Sequence, residues 1–249
     1  MRRFPREFED FLTAKGRRVI AGRSPLSGAL AAPRRRFLSA EGLIDRRQAL
    51  AAAELLNRTM FDLLEPMDRP IPPESIWDMT ENYGELLPKT VRARTAYLQR
   101  RDERSYRRAA SIGLIEMLRS PSFAAFAAGL AGRELRRFWG LQLLCHGPGD
   151  HAGPHNDHHP EEPAARGGYL DVHISLCGRG VAQQWLVYAA KGHFTEIIDV
   201  ATAGGVTAYR LPFWHFTTPL VAKPRATPAS ARRWLLLGTF LYRGKLRLG

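Results

Sequence analysis

Apolar positions change their spacing about halfway along the chain. In "SAEGLIDRRQALAAAELLNRTMFDLL", residues 39–64, alanine and leucine recur at helical spacing, and Ser39 stands as a possible N-cap. A short helix is expected near 5–15, followed by an irregular arm interrupted by Pro25 and Pro33. "EPMDRPIPPESIWD" reads as a proline-rich connection. "TVRARTAYLQRRDERSYRRAASIGLIEMLRS" predicts one or two amphipathic helices ending before Pro121, and "SFAAFAAGLAGREL" a further short helix with Gly132 near its end. From residue 138 the segments become short and β-rich. "RRFWGLQLLCH", "GGYLDVHISLCG", "VAQQWLVYAA", "HFTEIIDV", "GGVTAYRLP", "FTTPLVA" and "RRWLLLGTFLYR" are bounded by glycine, proline or Asn/Asp turns. Helices followed by many short strands predict a helical layer on a β-sandwich or barrel. The expectation is one domain over 1–249: a basic helical region at 1–137 and a β core at 138–249.

Composition supports a packed chain. Of 249 residues, 45% are hydrophobic, which excludes a disordered polymer. No run of about 18 apolar residues predicts a membrane span, and the basic start lacks the apolar segment of a secretory signal. A cytoplasmic location is therefore expected. Two cysteines, Cys145 and Cys177, form no CxxC pair, and buried small hydrophobes are the simpler reading. The net charge of +13 raises the question of nucleic acid, but the arginines are scattered and often sit among acids. A solvated basic surface is preferred, and no nucleic-acid partner is expected. Oligomeric state is unreadable.

Histidine is distributed more sharply. Five of the eight histidines crowd into "HGPGDHAGPHNDHHP", residues 146–160, and none precedes His146. His155 and Asp157 are two apart, a spacing that on extended backbone puts both side chains on one side. With a histidine from a distant strand, for which His215 in "LPFWHFTTPL" is the candidate, they would form a facial two-histidine, one-carboxylate metal site. That donor set suits non-haem Fe(II). HxD alone is a weak signal.

The order of segments adds weight. "LIEMLRSPSFAAFAAGLAGRELRRFWGLQLLCHGPGDHAGPHND", "GGYLDVHISLCGRGVAQQWLVY", "GGVTAYRLPFWHFTTPLVA" and "ARRWLLLGTFLYR" together resemble the 2-oxoglutarate/Fe(II)-dependent oxygenases, most of all the prolyl-hydroxylase-type branch. The match covers roughly half of the chain, about 110–243. The resemblance implies an α+β fold with a mainly β core, a double-stranded β-helix (jelly roll) with the N-terminal helices packed on it. It implies His155, Asp157 and His215 as iron ligands and Arg233 as the anchor of the distal carboxylate of 2-oxoglutarate. Arg232 is its neighbour, expected on the other face. His146 stands where the family often has a tyrosine that contacts the cosubstrate. Two loop departures are "GRG" at 178–180 and "KPRATPAS" between His215 and Arg233. The implied chemistry consumes O2 and 2-oxoglutarate, releases succinate and CO2, and hydroxylates a C–H bond of a small-molecule or peptide substrate.

Other readings stand beside it. "HNDH" overlaps the HxHxDH pattern of zinc metallo-hydrolases, although Gly153 occupies the first histidine position. A non-catalytic β-barrel binding module would need neither HxD nor the later histidine and arginine. His151, His158 and His159 are read as exposed loop residues, His193 as a turn residue, and Trp139, Trp185, Trp214 and Trp234 as core. His173 is either core or cavity-facing. The loop "HHPEEPAARGG" is a place where substrate selection could reside, with no role assigned to Glu161, Glu162 or Arg166.

Overall fold

The computed structural model describes residues 2–32, 35–71, 90–136, 140–157, 168–190 and 192–243. The chain opens with a 3-10 turn, Phe8–Phe11, and helix α1, Ala14–Ile20, capped by the Thr13 side chain. Strand β1 follows at Phe37–Ala40 and helix α2 at Arg46–Thr59. Strands β2 (Glu65–Pro70) and β3 (Thr90–Tyr97) precede helices α3 (Arg104–Ser111), α4 (Leu114–Leu118) and α5 (Pro121–Ala131). Ten strands complete the described chain. They are β4 (Gly140–His146), β5 (His151–His155), β6 (Tyr169–Cys177), β7 (Val181–Gln183) and β8 (Trp185–Ala190), then β9 (His193–Asp199), β10 (Gly205–Leu211), β11 (His215–Thr217), β12 (Val221–Ala222) and β13 (Arg233–Leu241).

The strands pair antiparallel in the order β1-β10-β6-β13-β4-β3-β5-β11-β8-β9. Strand β3 pairs with both β4 and β5, so it joins a broad sheet to a narrower one and lets the whole curl. This is the expected jelly-roll, mainly β core with N-terminal helices packed on it. The strand pattern explains the layering. In "YLDVHISL", Leu170, Val172, Ile174 and Leu176 pack into the main core with the helices, while Tyr169, Asp171 and His173 line an internal cavity. Strand β13 repeats this: Trp234, Leu236 and Phe240 belong to the core, and Arg233, Leu235, Leu237 and Thr239 line the cavity. The central strands are therefore covered on both faces, one apolar and one mixed.

Three expectations need correction. The segment "TVRARTAY" is strand β3 rather than helix. Its β-branched Thr90, Val91 and Thr95 suit a pleated surface, and neighbours on both sides complete its ladder. The first part of the proline-rich connection is strand β2, which among the described residues pairs with β3 alone, an edge position that tolerates Pro66 and Pro70. The region 1–137 is therefore not purely helical. Ser39 lies in β1, and the cap of α2 is Asp45, which accepts from the Gln48 backbone N–H at 2.9 Å. Helix α5 is bounded by Ser120 as N-cap, Pro121 in its first turn and left-handed Gly132 at its end. Cys145 and Cys177 are free and buried. No helix among the described residues is long and apolar enough to cross a membrane.

The N-terminal segment is part of the core. Phe8 is fully buried, with its ring 4.8 Å from Phe123 and 5.2 Å from Phe126. Phe8→Ala is expected to lower unfolding free energy by roughly 3–5 kcal/mol, read from urea unfolding. A loss within experimental error would mean that this segment does not hold the helices on the sheet.

Candidate metal and cosubstrate site

Strand β11 pairs with β5 so that His215 stands directly opposite His155. Their rings lie 4.4 Å apart. Asp157 follows just beyond β5, with φ of 52°, in the left-handed region that aspartate tolerates better than most residues. Its carboxylate therefore meets the histidines from a turn rather than from a continued strand, which corrects the simple i, i+2 picture. The turn is pinned twice: the Phe213 N–H donates to the Asn156 carbonyl at 3.1 Å, and the Tyr169 hydroxyl donates to the Asp157 carbonyl. Asp157 Oδ1 lies 3.4 Å from His155 Nε2, and Oδ2 lies 3.7 Å from His215 Nε2.

The donor set fits a first-row metal ion. His155 Nδ1 lies 2.7 Å from the Gly153 carbonyl and His215 Nδ1 lies 2.8 Å from the Phe213 carbonyl. A carbonyl only accepts, so each Nδ1 carries the proton and each Nε2 presents a lone pair toward Asp157. Ligands about 2.1 Å from an octahedral ion stand roughly 3 Å apart when adjacent, close to the spacing found. Burial, with His155 alongside, pushes the His215 pKa down to about 3, so its ring stays neutral near pH 7. His215 is also held by an aromatic stack: Tyr209 at 5.0 Å and Phe213 at 5.6 Å flank it, and Phe37 from β1 stacks on Phe213 at 5.5 Å.

The three ligand candidates and the other predicted residues share one cavity of about 540 Å³. Arg233 lines it and is only 3% exposed. Its Nε donates to Ser175 Oγ at 2.9 Å and its Nη1 to Gln184 Oε1 at 3.0 Å. Burial lowers its pKa, and among the described residues no carboxylate lies within ion-pair distance of it. A buried guanidinium without a counter-charge is costly, and an incoming carboxylate would relieve that cost. Arg232 points away, as expected, and lies over the Phe61 ring at 3.1 Å. His146 is the direct register partner of Arg233 and lines the same cavity. His146 Nδ1 lies 3.2 Å from Gln184 Oε1 and 2.9 Å from its Nε2, whose two hydrogens also face the Asp150 and Thr218 carbonyls. Burial, reinforced by Arg233, lowers the His146 pKa to about 3.

Gln184 was not foreseen. It is fully buried and binds Arg233, His146, and the carbonyls of Asp150 and Thr218. "VAQQW" carries no signal that would single it out. Ser175 and Asp171 could have been found from the alternation of polar and apolar residues in β6. His173 takes the cavity-facing of its two options, and His193 opens β9. His151 sits at the start of β5, half-buried beside Thr90 rather than on an exposed loop. Trp234 is core as expected, Trp185 is exposed, and Trp214 is half-buried. His158, His159, Glu161, Glu162, Arg166 and Trp139 lie outside the described residues.

No protein-family model matches the sequence, and no curated protein does. Solved structures do match. A Pseudomonas putida prolyl-4-hydroxylase aligns over 91% of this chain and 100% of its own, with a TM-score of 0.51 at 15% identity. A 2OG-Fe(II) oxygenase family oxidoreductase from Burkholderia pseudomallei covers 85% of this chain and 88% of its own, with a TM-score of 0.54 at 16% identity. The fold is that of the 2-oxoglutarate/Fe(II) oxygenases. The same fold carries the non-heme alpha ketoglutarate dependent epimerase SnoN from nogalamycin biosynthesis, which covers 92% of this chain and 86% of its own at TM-score 0.51 and 17% identity. Identities this low speak for fold alone. The zinc-hydrolase alternative is not favoured: the matched folds belong to oxygenases, and Gly153 lacks the donor that motif needs.

Two neutral buried histidines make stability depend on pH. His146 and His215 titrate near 3 in the folded chain and near 6.5 when unfolded. Between these values the unfolded state binds more protons, so stability falls as pH drops from about 6.5 toward 3. Each proton contributes up to about 1.4 kcal/mol per pH unit. Urea unfolding of metal-free protein at pH 7 and pH 5 should show this loss, and His146→Gln should reduce the slope by roughly one proton. An unchanged slope in the variant would contradict a neutral His146.

Proposed function

We propose that the protein is an Fe(II)- and 2-oxoglutarate-dependent oxygenase that hydroxylates a C–H bond of a small-molecule or peptide substrate. The observation that carries the reading is the pairing, in one cavity, of the His155–Asp157–His215 cluster with a buried arginine that has no carboxylate within ion-pair distance among the described residues. His155, Asp157 and His215 would hold the iron on one face, with both histidines kept in the ligating tautomer by backbone carbonyls. Arg233 would take the distal carboxylate of 2-oxoglutarate, its fork oriented by Ser175 and Gln184. His146, held at Nδ1 by Gln184, would face the same cosubstrate. Iron with 2-oxoglutarate and O2 supplies the oxidising power, with succinate and CO2 as by-products. The chain contributes placement in a cavity and fixed hydrogen-bonding groups. We propose further that the whole of 1–249 acts as one unit, because β1 and β3 of the N-terminal region complete the sheet and the support of His215.

A non-catalytic binding module would have no use for two lone pairs and a carboxylate converging beside an unpaired guanidinium. Anaerobic titration with Fe(II) and 2-oxoglutarate should give the weak visible charge-transfer band of an iron chelate. The band should vanish in His155→Ala, and Arg233→Ala should need roughly tenfold or more 2-oxoglutarate to reach it. Tight zinc retention with no band would overturn the oxygenase reading.

A further inference from the structure

Arg233 accounts for one end of the cavity, and the other end carries the opposite charge. Asp171 lies on β6 directly across from Thr239 of β13 and Tyr209 of β10. It is six residues along β13 from the Arg233 row, about 20 Å of strand. Asp171 is 7% exposed and lines the cavity. Among the described residues its Oδ1 has no hydrogen-bond partner, and neither has His173 Nε2, 3.9 Å from the other carboxylate oxygen. The link to the metal cluster is short: the Tyr209 ring lies 4.6 Å from His173 on one side and 5.0 Å from His215 on the other.

Nothing in the proposed iron and cosubstrate chemistry uses this carboxyl. One of its oxygens, Oδ1, sits in the cavity without the partner that a buried polar atom normally finds, while Thr239 and His173 interact with the carboxyl. Burial pushes its pKa up, His173 and Thr239 only partly oppose this, and among the described residues no lysine or arginine lies within ion-pair distance of it. A buried carboxylate in this state gains most from a cation that enters with its own hydrogen-bond donors. The aromatic walls, Tyr169 and Tyr209, suit a cation as well. Arg69 also lines the cavity, but it is exposed and its charge is screened by solvent.

We propose that Asp171, with Tyr209 and His173 beside it, is the substrate-recognition residue of this cavity, and that it binds a protonated amine or guanidinium on the molecule to be oxidised. The proposal rests on the oxygenase reading for its role, but the binding it asserts stands apart from turnover. The cation could come from a free basic amino acid or from a lysine or arginine side chain of a peptide.

The test is calorimetric binding to the full chain without turnover. The probes are L-lysine, L-arginine, and acetylated tripeptides with a central lysine or arginine. Norleucine, citrulline and the matching tripeptides serve as uncharged counterparts. At least one cationic probe should bind, its uncharged counterpart should bind roughly tenfold or more weakly, and Asp171→Asn should weaken the cation by a similar factor. Preference for free amino acids or for tripeptides identifies the source. Asp171→Asn should also melt at or above the wild-type temperature, because it removes a buried unpartnered charge; a merely structural aspartate would lower it. Equal binding by the uncharged counterparts, undiminished binding to Asp171→Asn, or binding of no cationic probe overturns the proposal. Failure of the iron and 2-oxoglutarate titration together with Asp171-dependent cation binding would sink the oxygenase reading alone. A normal chelate band with no cation binding would sink this inference alone.

Discussion

The pairing of β5 with β11 is the constraint on which the site depends. It sets His215 opposite His155, strands that lie some 60 residues apart in the chain. A slip of one residue would turn one of the two rings to the other face, because side chains alternate along a strand. The register is held from several sides at once. Strand β8 pairs with the far edge of β11, and the Thr217 hydroxyl accepts from the Ala152 N–H. The stack from Phe37 through Phe213 and Tyr209 fixes the plane of the His215 ring. The N-terminal region therefore reaches the His155–Asp157–His215 cluster by packing, through a strand that contributes none of the three residues.

The cavity sets charged and polar groups among apolar walls, where most β-sandwich interiors are apolar throughout. The sheet can afford this because its apolar alternate positions are buried against helices instead. Leu170, Val172, Ile174 and Leu176 join the core with α2 and α5, and their neighbours are left to line the cavity. Within it the groups are arranged by charge, with Arg233 toward one end, the histidine and aspartate cluster on the opposing sheet, and Asp171 toward the other end. Gln184 binds the Arg233 end to the loops around Asp150 and Thr218. Such groups, withheld from water, act strongly on whatever enters.

Much of this was legible in the sequence, and the remainder failed for identifiable reasons. Most strand segments from residue 140 onward were visible because they are short, rich in aliphatic, aromatic or β-branched residues, and bounded by turn residues. His155, Asp157, His215 and Arg233 were visible through the order of loose motifs, and the structure brings all four to one cavity. Strand β3 was missed because its arginines and alanine match a helix pattern locally, while its pairing with β4 and β5 is a tertiary fact. Strand β5 was missed because "HAGPH" has too few β-forming residues, and its partners β3 and β11 make it a strand. Gln184 was unreadable, since nothing local distinguishes a buried amide from a surface one. Asp171 shows in the alternation of β6, but that both faces of the strand are covered, which buries it, is a tertiary fact.

The most direct measurement is an anaerobic crystal structure of the full chain with Mn(II) in place of iron and 2-oxoglutarate added, with the metal located by anomalous scattering. The account predicts one metal within bonding distance of His155 Nε2, the Asp157 carboxylate and His215 Nε2, with the distal carboxylate of 2-oxoglutarate on Arg233. A metal bound elsewhere, or a cosubstrate whose carboxylates leave Arg233 unpaired, would contradict it.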